Sequence, residues 1–360
     1  MANNYLVLED GTVLEGEAFG YDKANSGEVV FTTAMGGYQE SITDPSYCGQ
    51  ILISTYPLIG NYGIMDSANQ SDDVWVRGLV VREYSKTPSL MYGGRTIDDF
   101  LKEHKVPGIS GIDTRELVLK IRSGGTLKGA IVTDESKIDS VISDLKRMPA
   151  PSEGNLVAEV SCKQAYSIDN KKELTVGVID CGVKNGIIDS LSRRFNLRVF
   201  PYDVTAQEIM DAKVDGVMIT NGPGDPAHPD IAKTVVRTAK DLASQTAIMG
   251  ICYGSQVLAL AMGGETYKMK YGHRGTNQPV RYNGRVYITS QNHGFAVDAE
   301  SLDGTDVEVS QINVNDGSVE GIRHKNLPIF TCQYHPEARG GPLDTGFLFD
   351  DFGKMMEARR

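Results

Sequence analysis

The sequence predicts a mixed α/β protein, with a β-rich α+β domain over residues 1–150, a connection over 151–173, and a doubly wound, mostly parallel sheet over 174–360. Three observations carry that prediction. Early in the chain, short apolar runs are separated by turn signals, the pattern of strands. From Met148 the composition turns to Pro149, Pro151 and a Ser/Glu/Gly cluster with a charged end, as inter-domain connections do. Beyond Glu173, buried-type apolar runs alternate with helical periods, and strand–helix units with short links build a parallel sheet covered on both faces. A chain of 360 residues also exceeds what one core usually serves.

The elements follow in order. YLVLEDGTVLEGEAF reads as a hairpin turning at Asp10-Gly11. Further strands are expected in Glu28–Thr33, Gln50–Tyr56 and Val74–Glu83. TIDDFLKEHKV reads as a short helix, and DTRELVLKIRSGG as another with Asp113 as N-cap and Gly124 as its stop. In the second domain LTVGVIDCG, NLRVFPYD, DGVMIT and AIMGIC are strands. The helices between and after them lie near IIDSLSRRF, TAQEIMDA, DIAKTVVRTAKDLASQ and SQVLALAMGG. From Tyr282 to Gln333 strands dominate, and LDTGFLFDDFGKMMEARR closes the chain as a helix.

Composition narrows the function. A net charge of −11 argues against a nucleic-acid or anionic-membrane surface. The N-terminus lacks the basic and continuous apolar regions of a signal peptide, and no stretch reads as a membrane span. Five scattered cysteines show no metal spacing, which points to a reducing compartment, the cytoplasm, without structural zinc. No G-x-x-x-x-G-K-[ST] occurs, so a P-loop is absent, and if nucleotide chemistry is involved another chain is expected to supply it.

Open parallel sheets bind ligands at the C-terminal ends of their strands. Two such ends are unusual here: NGPGDP (Asn221–Pro226) and GICYGSQ (Gly250–Gln256). A nucleophile between glycines at a tight strand-to-helix turn is the arrangement of a nucleophile elbow. The helix N-terminus favours negative charge there, and its amides, that of Tyr253 first, can serve an oxyanion. Buried cysteines are common, so Cys252 reads equally as a core residue on this evidence. YHPE offers a base, His335, and an orienting carboxylate, Glu337, two residues apart; a surface turn fits the same letters. His273 and His293, in Gly-rich segments read as loops, compete for the base's role.

GICYGSQ, NGPGDP, YGHRGTNQPV, SQNHGFAVD and YHPE together resemble a class I, triad-type glutamine amidotransferase domain. GGYQESITDPSYCGQILISTYPLIGNYG and GIDTRELVLKIRSGG resemble the N-terminal half of carbamoyl phosphate synthetase small subunits. The resemblance implies Cys252 as the nucleophile forming a γ-glutamyl thioester, His335 as acid and base, and Glu337 as its partner. It implies glutamine contacts by Ser46, Gly222, Gly224, Tyr253, Gln256, Asn292, Gly294 and Phe295. It further implies a large-subunit partner that takes the ammonia, with bicarbonate and ATP, to carbamoyl phosphate for arginine and pyrimidine synthesis. No cofactor or metal is expected in this chain, while ATP and a divalent metal are expected on the large subunit. The family's usual G-I-C-L-G-H-Q is altered here by Tyr253 and Ser255. Two rivals remain: a non-catalytic scaffold of an ammonia-dependent synthetase, and a hydrolase or glutaminase serving another enzyme.

Overall fold

The computed structural model describes residues 3–360 and divides after Gly154 into two compact units. In the first unit the strands are β1 (Asn3–Leu8), β2 (Val13–Gly20), β3 (Asn25–Thr32), β4 (Gln50–Ser54), β5 (Leu58–Ile59), β6 (Gly78–Val80), β7 (Glu83–Tyr84), β8 (Pro107–Ser110) and β9 (Leu127–Val132). Seven of them close into a barrel in the order β1-β2-β8-β6-β4-β3-β9, while β5 and β7 pair separately. The β1–β2 hairpin turns where Asp10-Gly11 predicts, with Val7 opposite Val13. The expected run at Val74–Glu83 is broken into β6 and the start of β7. Closure was not legible, because it depends on β9 reaching both β1 and β3 across more than a hundred residues.

Two helices lie where expected. Thr96 caps Ile97–Glu103 by accepting from the Asp99 amide, and Asp113 caps Thr114–Gly124 by accepting from the Glu116 amide. Gly124 proves to be the last helical residue, and Gly125, in the left-handed region, ends the helix. The core of this unit gathers Val30, Leu52, Leu79, Phe100 and Leu101 with Tyr38, Tyr47 and Ile42.

The second unit, Asn155–Arg360, contains β10 (Tyr166–Ile168), β11 (Thr175–Asp180), β12 (Asn196–Pro201), β13 (Gly216–Ile219), β14 (Ala247–Ile251), β15 (Thr266–Tyr282), β16 (Arg285–Val297), β17 (Val307–Asn313), β18 (Val319–His324) and β19 (Ile329–Cys332). They form one sheet in the order β10-β12-β11-β13-β14-β19-β18-β17-β15-β16. The five strands from β12 to β19 in that order are parallel, and antiparallel strands extend both ends. Residues along each central strand alternate between two cores, as period-2 geometry requires. Val217, Ile219 and Ile248 pack on one face, with Ile209, Val235, Leu242 and Val257 from the helices that cover it. Met218, Met249 and Ile251 pack on the other, with Ile187, Leu191, Leu348 and Phe352. Helices therefore cover both faces, the doubly wound arrangement.

Two expectations need correction. The stretch read as a connection is partly built into the second unit: Val157–Val160 is helical, and Tyr166–Ile168 adds an edge strand against Leu197–Val199. His273 and His293 are not in loops but face each other across the long β15–β16 ladder, whose glycines accompany register shifts rather than chain turns. Among the described residues no helix is long and apolar enough to cross a membrane.

Asp113→Ala removes the cap of an exposed helix end. It is expected to cost about 1 kcal/mol, read as a lower urea midpoint for the first unit at unchanged slope; an unmoved midpoint would deny the cap any share in stability.

Candidate functional site

In the second unit the chain passes from β11 out to β12 and then returns to the other side of β11 at β13. Such reversals leave a crevice at the carboxyl ends of the strands. The residues of interest follow those ends: Lys184 after β11, Asn221–Pro226 after β13, Cys252 after β14, and His335 with Glu337 after β19.

Cys252 sits between Ile251, the last residue of β14, and a helix over Tyr253–Ala261 that it caps. Its backbone has φ 53° and ψ −102°, a left-handed conformation that non-glycine residues adopt only where surrounding structure enforces it. The enforcement is visible at Gly254. Its amide donates to the Thr220 carbonyl at 3.0 Å, and a Cβ at Gly254 would lie 2.1 Å from the Ile219 carbonyl oxygen. The turn is thus pressed onto the end of β13, where no side chain fits. The Cys252 amide donates to Cys332 at 2.8 Å, joining the turn to β19 on its other side. The Ser255 and Gln256 amides turn back to the Cys252 carbonyl at 3.1 and 3.4 Å, and the Tyr253 amide, at the first position of the helix, is the one directed ahead of it.

The thiol of Cys252 donates to the backbone carbonyl of Asn292 at 3.6 Å. His335 is held by its own amide, which donates to Ser290 of β16 at 2.9 Å. Its Nδ1 lies 2.8 Å from Glu337 Oε1, so Nδ1 carries the proton and donates. Nε2 is buried and makes no hydrogen bond, leaving it available for proton transfer. Burial opposes the imidazolium, but the Glu337 carboxylate overrides it and raises the His335 pKa to about 10, with Cys252 acting in the same direction and Lys184 against it. Cys252, His335 and Glu337, expected from the sequence as nucleophile, base and orienter, thus lie in one buried cluster.

Lys184 was not singled out in the sequence. Its ammonium donates to Glu337 Oε1 at 2.8 Å, and both side chains are buried. The Lys184 backbone is shaped by Asp180, whose Oδ1 accepts from the Gly182 and Val183 amides at 2.8 Å each. Burial alone would raise the Glu337 pKa, but Lys184 and His335 together hold it well below the carboxylate range. The only local signal was a lysine just past the end of a buried strand, where a ligand or an ion pair is expected.

The remaining predicted residues divide. The Gly222 backbone approaches β11 so closely that a Cβ would lie 2.3 Å from the Cys181 carbonyl. The Tyr253 hydroxyl donates to the Asp225 carbonyl at 3.3 Å, tying the elbow helix to the loop that holds Gly222 and Gly224. Gln256 is turned inward: its amide donates to the carbonyl of Phe295 at 2.8 Å and to Gln333 at 3.0 Å. Asn292, Gly294 and Phe295 lie on β16, with Asn292 against the thiol. Ser255 is buried and donates to the Thr331 hydroxyl at 2.7 Å, so the residue in the histidine's usual place is satisfied. Ser46 belongs to the first unit, in a turn where its amide donates to Asp44 at 2.9 Å.

The sequence of the chain matches two family descriptions, "Carbamoyl-phosphate synthase small chain, CPSase domain" over residues 6–131 and "Glutamine amidotransferase class-I" over residues 177–355. The carbamoyl phosphate synthase small chain of Fusobacterium nucleatum subsp. nucleatum is 48% identical over 360 residues, covering 99% of this chain and 99% of its own. That of Methanopyrus kandleri is 48% identical over 358 residues, covering 97% and 98%. That of Methanocaldococcus jannaschii is 51% identical over 364 residues, covering 98% and 99%.

Two outcomes follow from this geometry. Gly254→Ala drives a methyl into the Ile219 carbonyl, and the strain is expected to cost at least about 1–3 kcal/mol, seen as a lower melting temperature; an unchanged one would mean the turn can retreat freely. The charged cluster also sets a pH window. Glu337 has a lowered pKa, so its contribution is complete above its unfolded value of about 4.3 and fades as pH falls. His335 has a raised pKa, so its contribution is complete below about 6.5 and fades as pH rises towards about 10. The melting-temperature difference between wild type and Glu337→Gln should therefore peak between about pH 4.5 and 6.5; a difference flat with pH would contradict the assignment.

Proposed function

The chain belongs to the carbamoyl phosphate synthase small-chain family, with a class I glutamine amidotransferase domain, and from that premise we propose that it hydrolyses L-glutamine and delivers the ammonia to a large-subunit partner. The observation that carries the reading is Cys252 on its enforced turn, beside a histidine whose far nitrogen is bonded to a buried carboxylate.

In this reading the Cys252 thiolate attacks the carboxamide carbon of glutamine, and the carbonyl electrons move onto oxygen. The Tyr253 amide at the helix start donates to that oxyanion. His335, protonated at Nε2, gives its proton to the departing nitrogen; the C–N bond breaks, ammonia leaves, and a γ-glutamyl thioester remains. Water then attacks the thioester while His335 takes its proton, and glutamate departs with the sulfur restored. Glu337 keeps the His335 Nδ1–H in place and stabilises the imidazolium; Lys184 fixes that carboxylate. Gly222, Gly224 and Asn292 border the nucleophile's loop network and are assigned to hold the substrate, with Gly294 and Phe295 supporting them from β16 and Gln256 from the helix after Cys252.

The partner would use the ammonia with bicarbonate and ATP, and the divalent metal and nucleotide belong to it. Five free cysteines suit the cytoplasm, and arginine and pyrimidine synthesis are the pathways assigned. Ser255, the one substitution that favours a non-catalytic scaffold, is buried and hydrogen-bonded to Thr331, so it fits the packing of the elbow helix.

Glutamate release is the measurement that tests this. Wild type with its large subunit, ATP and bicarbonate should release glutamate, and Cys252→Ala should lose that activity by several orders of magnitude. Wild type that releases none, in a complex that still makes carbamoyl phosphate from added ammonia, would establish the scaffold instead.

A further inference from the structure

A second buried polar cluster lies behind the nucleophile's neighbour strand and takes no part in the proposed hydrolysis. It consists of His273 on β15, His293 and Gln291 on β16, and Glu320 on β18, with relative exposures of 7, 5, 4 and 0%. A possible ligand atom from each of His273, His293 and Glu320 lies within 4.8 Å of the other two.

Among the described residues, two inward atoms of the cluster, His273 Nδ1 and Glu320 Oε2, are buried without a hydrogen-bond partner. His293 Nδ1 lies 2.8 Å from the Phe295 carbonyl, which can only accept, so Nδ1 carries the proton. Nε2, the ring's other nitrogen, is turned into the cluster. It faces Gln291 Oε1 at 3.0 Å. Gln291 Nε2 donates to the Thr289 hydroxyl at 3.2 Å, and that hydroxyl donates to the Gln278 carbonyl at 2.9 Å, so the Gln291 Oε1 is the end held towards the imidazole.

His273 repeats the pattern. Its Nε2 donates to Asp316 Oδ2 at 2.9 Å, and its buried Nδ1 has no hydrogen-bond partner. Glu320 Oε1, 3.6 Å from that Nδ1, accepts from Asn313, while Glu320 Oε2 has no partner. Each imidazole thus has one nitrogen anchored to a carboxylate or carbonyl and the other turned to a common centre. That is the outer-shell arrangement of histidines that bind metal.

We propose that His273, His293 and Glu320, with Gln291 Oε1 as a fourth donor, form a binding site for one divalent transition-metal ion, zinc being the best match. Two imidazoles, a carboxylate and an amide oxygen suit zinc's borderline character and its four-coordinate preference. Tetrahedral donors lie ~3.4 Å apart, so ligand atoms within 4.8 Å of one another need only a small contraction around the ion. The ion would pin β15, β16 and β18 together, immediately beside Asn292, whose carbonyl meets the Cys252 thiol. Its role is structural, and it stands whether or not the glutaminase reading does. The competing account is a metal-free charge cluster in which His273 bridges Asp316 at 2.9 Å and Glu320 at 3.6 Å.

The test uses the full chain carrying Cys252→Ala, so that the nucleophile cannot bind metal. The protein is stripped with a chelator, dialysed, and titrated with zinc by calorimetry and with cobalt by absorption. One ion per chain is expected, with visible cobalt d–d bands and no thiolate charge-transfer band. Asp316→Asn, which removes only the outer carboxylate, should weaken zinc about 10–100-fold, and Glu320→Gln should weaken it further. Zinc should raise the melting temperature of the parent and not that of Glu320→Gln. The proposal is overturned by an absence of saturable zinc binding, by equal binding in both variants and parent, or by a thiolate band. Should Glu320→Gln fail to fold, Asp316→Asn on its partly exposed loop decides the matter.

Discussion

The closeness of the turn after β14 to the end of β13 is the constraint on which the site is built. Gly254 donates to Thr220 and has no room for a Cβ against Ile219, so the chain must reverse within the one residue between strand and helix. That residue is Cys252, and its left-handed backbone is the result. Because the adjoining strands are parallel and in register, with Ile219 opposite Gly250 and Ile251 opposite Cys332, the loops after β13, β14 and β19 emerge at one level. The YHPE segment thereby arrives beside the thiol without a long excursion, and one bond to Ser290 sets its height.

Electrostatics settles the second part of the arrangement. A lone buried carboxylate at Glu337 would take up a proton to avoid the desolvation cost, and would then no longer favour the imidazolium. Lys184 keeps it charged. The consequence is a chain of dependence in which Asp180 shapes the loop, the loop presents Lys184, Lys184 holds Glu337, and Glu337 orients His335. Loss of Glu337 would leave the buried Lys184 ammonium without its counter-charge, and the shared carboxylate couples the titration of the group.

The parts legible in the sequence were those set by near neighbours. Short continuous apolar runs marked strands such as DGVMIT and AIMGIC, and capping chemistry marked the helix after Asp113. Glycines on both sides of Cys252 announced the tight turn because only glycine tolerates that approach. Misreadings fell where local chemistry is ambiguous. Gly272, Gly275 and Gly294 made β15 and β16 look like loops, though in a long ladder such residues are accommodated by bulges. Tyr166–Ile168 looked like connection because a three-residue edge strand has no periodicity to show.

By itself, then, the sequence determined the strand–helix rhythm, the elbow and the ordered set of motifs, since each depends on residues a few positions apart. Tertiary structure alone decided that the first sheet closes into a barrel, that Lys184 belongs with Glu337, and that His273, His293 and Glu320 share one interior. Those partners lie tens to more than a hundred positions apart. Nothing in a local pattern specifies which distant strand becomes a neighbour; sheet order does, through burial and backbone pairing summed over the whole unit.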